Sequence, residues 1–254
     1  MTEDLSARQK AHYERIHDLY SSHYYDADSM AYRHLFIYQY LFAGLDLNGK
    51  EVADLASGAG INSLALLHYF PQARMTGFDI SAKACADYRK NLGRPAFEAD
   101  LTKGVVGDQK FDVAMIIGGL HHCVADLTGT ICTVVDLVKP GGLVLMMEPN
   151  ADYFLEGVRK VWYRTDSYFE GSTEHALSYV ALYEMARRSF VEINVKYLGG
   201  PGYFLVLNSM IFRLPHWLKR FIARLLLPCE KLFNLLPGKR PFPYFVARWQ
   251  RRYD

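Results

Sequence analysis

The chain predicts an α/β fold: a doubly wound, mostly parallel sheet with helices on both faces. Three observations carry that reading. Short apolar runs recur at about 51–56, 74–79, 95–99, 111–117 and 142–148, and helix-like segments alternate with them at about 61–70, 81–92 and 124–138. The runs are unbroken, as in Val113-Ala-Met-Ile-Ile117, which suits strands covered on both faces. The first run also feeds a glycine turn, Gly58-Ala-Gly60, that opens straight into a helix-like stretch, Ile61–Phe70.

The elements follow in order. Residues 4–20 mix Ala, Arg, Lys and Glu with apolar positions and predict a helix. Ser21–Asp28 is a polar, tyrosine-rich break, and Ser29–Leu45 predicts a second, aromatic-rich helix. Residues 1–45 thus form an N-terminal helical cap on a core spanning 46–210. After Glu148-Pro149-Asn150 the alternation pauses in an aromatic, irregular segment, followed by a helix expected from about Thr173 to Ser189. Val191–Leu198 and Tyr203–Met210 read as strands, joined by the turn Gly199-Gly-Pro-Gly202. Residues 211–254 read as a basic, amphipathic C-terminal extension. There Leu218, Phe221, Ile222, Leu225 and Leu226 recur at helical spacing, Pro228 is expected to break the helix, and Pro237–Pro243 is a stiff turn.

Composition narrows the class. Half of the 254 residues are hydrophobic and 14% are aromatic, enough for a large core and against disorder. The N-terminus shows no basic stretch followed by an apolar run, so no signal peptide is expected. No window is apolar for long enough to span a membrane. Cys85, Cys123, Cys132 and Cys229 form no CxxC pair and read as reduced thiols of a cytoplasmic protein. The net charge of +2 hides an asymmetry: residues 211–254 hold ten basic residues against two acids, +8, and the remainder is −6. Such a split suggests that the extension meets something anionic.

The chemistry concentrates at the ends of the early strands. Asp54-Leu-Ala-Ser-Gly58-Ala-Gly60 builds a cradle in which glycines admit a close backbone approach and the helix start offers N–H groups. Phe78-Asp79-Ile80 ends the second strand, about 20 residues on, where a carboxylate suits a ribose diol. Glu98-Ala-Asp100 ends the third.

On these residues the chain resembles the class I S-adenosylmethionine-dependent methyltransferases. Asp54, Gly58 and Gly60 match the family's signature loop, with Ala56 where a first glycine is common and Ser57 where a cysteine is common. The match runs on through Asp79, Asp100 and Lys139-Pro-Gly-Gly142, over roughly residues 35–150. A nicotinamide enzyme fits less well, because Ser63 stands where its third glycine belongs. The resemblance implies a Rossmann-like, seven-stranded sheet closed by an antiparallel C-terminal hairpin. It also implies S-adenosylmethionine as methyl donor and S-adenosylhomocysteine as product. Asp54 would support the loop near the cofactor's amino group, and Ala56, Ser57, Gly58 and Gly60 would line its methionine and ribose portion. Asp79 would hold the ribose hydroxyls, with Ile80 on the adenine. Asp100 would accept from the adenine amino group beside Leu101, Ile117 and Gly118 would lie under the sulfonium, and Tyr25 in the cap would touch the cofactor.

Methyl transfer to a hydroxyl benefits from a general base, and histidine suits that task near neutral pH. His121 and His122 follow the fourth strand, where the resemblance places residues facing the acceptor; Glu148 and Asn150 end the fifth strand, and His175 could reach over the site. Each has a structural alternative, ring packing for the histidine pair and an exposed helix start for His175. Neighbours in the run His121-His122-Cys123 do not all turn toward one ion, so no metal is expected. The expected reaction is methyl transfer to a small or lipid-like acceptor, to oxygen first, with nitrogen or carbon open. The acceptor pocket would draw on the cap and on an insertion at about 151–175, whose aromatic content favours an apolar or amphiphilic acceptor. Nucleic-acid methylation and a non-catalytic cofactor-binding protein are the rival classes. Nucleic acid is not expected as a partner, because the extension is as apolar as it is basic. For that extension, packing on the core or on a second subunit of a homodimer is preferred to peripheral membrane contact.

Overall fold

The computed structural model describes residues 26–165 and 175–253. The helix expected over 4–20, and Tyr25, lie outside the described residues. A helical segment comes first: α1 (Ala27–Arg33), a π turn (His34–Tyr38) and α2 (Gln39–Phe42). Asp26 caps it, its carboxylate accepting from the backbone N–H groups of Asp28 and Ser29. Then follow β1 (Glu51–Leu55), α3 (Ile61–Tyr69), β2 (Arg74–Asp79), α4 (Ala82–Leu92), β3 (Ala96–Glu98), β4 (Phe111–Ile117), α5 (Leu127–Leu137) and β5 (Val138–Pro149), close to the positions read from the sequence. The chain continues through α6 (Glu156–Thr165), α7 (Tyr179–Ala186), β6 (Phe190–Leu198), α8 (His216–Phe233) and β7 (Tyr244–Arg251).

The seven strands form one sheet in the order β3-β2-β1-β4-β5-β7-β6. Strands β1 to β5 pair in parallel, while β7 pairs antiparallel with β5 on one side and β6 on the other. Alternate residues of the central strands feed two separate apolar layers. Val113, Met115, Leu145 and Val246 join Tyr32 and Phe36 on one face. Ala114, Ile116, Val144 and Ala247 join Leu182 and Trp249 on the other. The order reverses between β1 and β4, which opens a crevice above their carboxyl ends.

Four expectations are corrected. Tyr203–Met210 is not a strand: a π turn (Tyr203–Leu207) and a 3-10 turn (Ser209–Phe212) stand there. Tyr203, Val206 and Leu207 are buried together, a three-and-four spacing that belongs to a helix. The antiparallel partner is instead β7, so the core does not end at 210 and residues 244–251 are no appendage. Arg248 hid that strand by interrupting an apolar run. Its guanidinium is nevertheless buried, donating to the carbonyls of Ala43 and Tyr40. Nor does Pro228 break the helix: α8 runs through it, with the proline on the exposed side. The helix expected from Thr173 is, within the described residues, the shorter α7. Among the described residues no helix is long and apolar enough to cross a membrane.

Candidate active site

The loop after β1 carries three left-handed residues in five positions, Ala56 (φ 54), Gly58 (φ 53) and Gly60 (φ 85). Such a conformation is strained for alanine by roughly 1–2 kcal/mol, which is the physical reason a glycine is common there. Gly60 has no room for a side chain, since an added Cβ would meet Leu92 at 2.3 Å and Tyr88 at 2.8 Å. Asp79 fastens the loop from β2: one carboxylate oxygen accepts from Gly58 N–H at 2.8 Å and the other from Ser81 N–H at 2.9 Å. Each oxygen keeps acceptor capacity, and the side chain is only half-buried.

Asp54 lies beneath the loop, 1% exposed. Ser63 donates to its Oδ2 at 2.6 Å and meets Tyr88 Oη at 2.8 Å. Ser63 thus has a use that the dinucleotide pattern lacks. Burial pushes the Asp54 carboxyl up to about 8. Its Oδ1, like the nearby Ser57 Oγ, is buried with no hydrogen-bond partner. A pair of orphaned acceptors beside a glycine cradle fits the amino group and ribose of S-adenosylmethionine.

Asp100 ends β3 with its oxygens engaged by Thr102 N–H at 3.0 Å, Thr102 Oγ1 at 2.6 Å and Lys103 Nζ at 3.0 Å, and these contacts hold its carboxyl below the usual range. Ile80 is half-buried, while Leu101 and Ile117 are buried. Gly118 turns off β4 with φ 71, its N–H donating to Met147 O at 2.8 Å.

That turn feeds the polar centre of the site. Glu148, fully buried at the end of β5, accepts from the N–H groups of Gly119 at 2.9 Å, Leu120 at 2.8 Å and His121 at 3.3 Å. Its Oε2 also lies 2.8 Å from His121 Nδ1. Burial pushes the Glu148 carboxyl up to about 8, against the pull of those three N–H groups. Burial first, and the Arg159 charge second, push the His121 imidazole down to about 3. The His122 ring lies against that of His121, tilted by 41° with ring centres 3.8 Å apart. His175 is exposed, and its backbone N–H donates to His121 O at 3.3 Å. The structure therefore brings His121 and Glu148 into direct contact, and joins His175 to them through its backbone. Asn150 is spent on structure: its amide donates to the carbonyls of Lys239 and Phe242, holding the entry to β7. Among the described residues no three His, Cys, Asp or Glu side chains converge as metal ligands.

Arg159 was missed from the sequence, where only the pair Glu156-x-x-Arg159 at helical spacing could have flagged it. Its guanidinium donates to Asn150 O at 2.9 Å and Pro243 O at 3.2 Å and is ion-paired with Glu156. It also lines a cavity of about 470 Å³ whose wall is otherwise mostly apolar, including Tyr153, Phe154, Tyr203, Phe204 and Phe233. The Arg159 charge is felt at His121 and at Tyr203, so the cavity wall lies within electrostatic reach of the His121–Glu148 pair.

Residues 52–142 match the family model described as a methyltransferase domain. Among curated proteins no sequence matches the chain. Solved structures share its fold. An S-adenosylmethionine-dependent methyltransferase from Thermotoga maritima is 16% identical, covers 95% of this chain and 98% of its own, and gives a TM-score of 0.64. The N-methyltransferase NodS from Bradyrhizobium japonicum, in complex with S-adenosyl-L-homocysteine, is 10% identical over 92% of this chain and 97% of its own, with a TM-score of 0.56. The [4+2]-cyclase SpnF is 15% identical over 98% and 97%, with a TM-score of 0.67. Identities this low speak to the fold alone, and a cyclase among them shows that the fold does not dictate the chemistry.

Proposed function

We propose that this class I S-adenosylmethionine-dependent methyltransferase transfers its methyl group to a hydroxyl oxygen of a small, largely apolar acceptor, with His121 as general base. The observation that carries the reading is the part-buried 2.8 Å contact between His121 Nδ1 and Glu148 Oε2, within electrostatic reach of Arg159 on the wall of an apolar cavity. Once bound, the cofactor supplies an electrophilic methyl group on a sulfonium. Asp79 would offer acceptors for its ribose hydroxyls, Asp54 Oδ1 would meet its amino group, and Ser57 Oγ would face its methionine and ribose portion.

The chain's own contribution is positioning and the handling of one proton. A carboxylate at Glu148 holds the His121 proton on Nδ1, leaves the Nε2 lone pair open and raises the imidazole from the depressed value that burial and Arg159 impose while Glu148 is protonated. During methyl transfer Nε2 would take the acceptor's hydroxyl proton. The Glu148 carboxylate then balances the imidazolium. When Glu148 is protonated its O–H occupies Nδ1, Nε2 carries the imidazole hydrogen, and no base is available. Glu148 near 8 therefore sets the reading's signature: turnover climbs as pH rises toward and through about 8. Asn150 and Pro243 fix Arg159 at the cavity wall, where it orients a polar end of the acceptor while the aromatic wall takes the rest.

A panel of phenolic and lipid-like alcohols, with matched amines, tests this. The expectation is turnover of a hydroxyl compound that falls at least a hundredfold in His121→Ala while S-adenosylhomocysteine binding holds. Turnover of an amine alone, or a His121→Ala enzyme of undiminished activity, would overturn it.

A further inference from the structure

Helix α8 is turned inside out relative to an ordinary surface helix. Its charged residues Lys219 and Glu230 are buried, with Ala223 between them. Lys219 is ion-paired with Asp26 and donates to Ser29 Oγ at 2.6 Å. Glu230 accepts from Tyr32 Oη at 2.6 Å, Gly200 N–H at 2.6 Å and Gly202 N–H at 2.9 Å. The opposite face carries Trp217, Phe221, Leu225 and Leu232, exposed by 73%, 60%, 58% and 70%. At roughly 100° per residue these four and Pro228 centre about 180° from the buried three. Arg220, Arg224 and Lys231, all exposed, form one flank of that ridge, and the only acid in the helix is the buried Glu230.

We infer that α8 is a docking ridge for an anionic lipid surface, with Trp217, Phe221, Leu225 and Leu232 entering the interface and Arg220, Arg224 and Lys231 meeting the headgroups. The argument is charge complementarity. An apolar ridge edged by cations, with no accessible acid, complements an apolar layer capped by anions. A second copy docking through the same ridge would bring more cations and no acid to meet them. The inner face makes the ridge a rigid fixture, because Glu230 clamps Gly200 and Gly202, and Gly200 lines the cavity together with Phe233 at the end of α8 and Phe212 just before it. The inference rests on the helix's own geometry and not on which atom is methylated.

Flotation of the full chain with vesicles tests it, using mixed phosphatidylglycerol and phosphatidylcholine against phosphatidylcholine alone. Two variants are compared with wild type, Phe221→Ser with Leu225→Ser, and Arg220→Glu with Arg224→Glu. All four positions are exposed, so folding is unaffected, and binding of S-adenosylhomocysteine verifies it. Wild type should float with the anionic vesicles. The apolar double variant should lose at least tenfold in partitioning, and the charge-reversed one about 25-fold or more, near fivefold for each cation removed. Failure of wild type to bind anionic vesicles would overturn the inference. So would equal binding to both vesicles, self-association abolished by the apolar variant without vesicle binding, or salt-sensitive binding of single-stranded RNA in place of vesicles. Methyl-transfer activity enters none of these outcomes, so the proposed reaction stands or falls separately.

Discussion

Replacing Glu148 by glutamine isolates the proton-handling role of the His121–Glu148 pair. Burial holds the Glu148 carboxyl protonated up to about 8, so at neutral pH glutamine imitates the form already present. Its oxygen can still accept from Gly119 and Leu120, and its amide can donate to His121 Nδ1. The weakest contact, His121 N–H at 3.3 Å, is the one lost. Stability near pH 7 should therefore change by no more than about 1 kcal/mol, the net worth of one hydrogen bond. Catalysis should not be spared. An amide donor at Nδ1 fixes the hydrogen on Nε2 at every pH, which removes the base, and general-base catalysis contributes on the order of 10²–10⁴-fold. Above about pH 8, where the wild-type carboxylate has formed, kcat should drop by that factor, with a smaller drop at neutral pH, and the climb through pH 8 should vanish, while KM and the affinity for S-adenosylhomocysteine stay near wild type. Alanine is the contrasting change. It strands three buried N–H groups at roughly 1–3 kcal/mol each, about 3–9 kcal/mol in all, against a typical total of about 5–15 kcal/mol. Steady-state kinetics from about pH 6 to 9, with calorimetry and thermal melts of both variants, make the comparison. A glutamine variant with kcat within threefold of wild type and an unaltered pH profile would refute the reasoning.

Three further predictions follow from the cofactor loop and the buried carboxyls. Asp79→Ala removes the acceptors that fasten Gly58 and that are proposed to hold the ribose, so S-adenosylhomocysteine affinity should weaken roughly a hundredfold by calorimetry; an unchanged Kd in the folded variant would exclude that assignment. Gly60→Ala forces a side chain into Leu92 and Tyr88 at a left-handed residue, and should lower stability by roughly 2–4 kcal/mol in a denaturant titration, an unshifted midpoint being the contrary result. Asp54 and Glu148 both hold protons to about 8 that the unfolded chain releases from near 3.8 and 4.5. The stability they contribute is complete below those lower values and is lost as pH rises toward 8, so denaturation midpoints should fall between about pH 5 and 8, and in Glu148→Gln should fall less steeply.

The left half of the sheet and the cofactor cradle could be read from the sequence because each signal there is local. An apolar run followed by Gly58-Ala-Gly60, and an acid at the end of the next run, keep their meaning without knowledge of distant partners. Glu148 could be flagged but not interpreted, since its role depends on N–H groups some 28 residues earlier, brought to it by the pairing of β4 with β5. Arg159 was invisible for the same reason: its partners Asn150 and Pro243 come from different parts of the chain. β7 was lost to a rule that normally serves well, because an arginine inside an apolar run argues against burial. Two backbone carbonyls at the end of the first helical segment overrode it. The apolar stripe on α8 was seen, but periodicity does not say which side faces inward, and the ionic contacts of Lys219 and Glu230 decide that.

The place of β7 between β5 and β6 has a bearing on how the protein comes into being. During synthesis β6 leaves the ribosome well before the strand that must sit between it and β5. Until Tyr244–Arg251 appears, the growing sheet ends at β5 with an open row of backbone groups, and β6 has no proper neighbour. The nascent chain thus carries an unfinished edge from Pro149 until Tyr244 is made, and a chaperone or a wrong strand has its best opportunity there. Completion of the sheet comes in one step, when a single strand is bonded on both sides and the two apolar layers are sealed together.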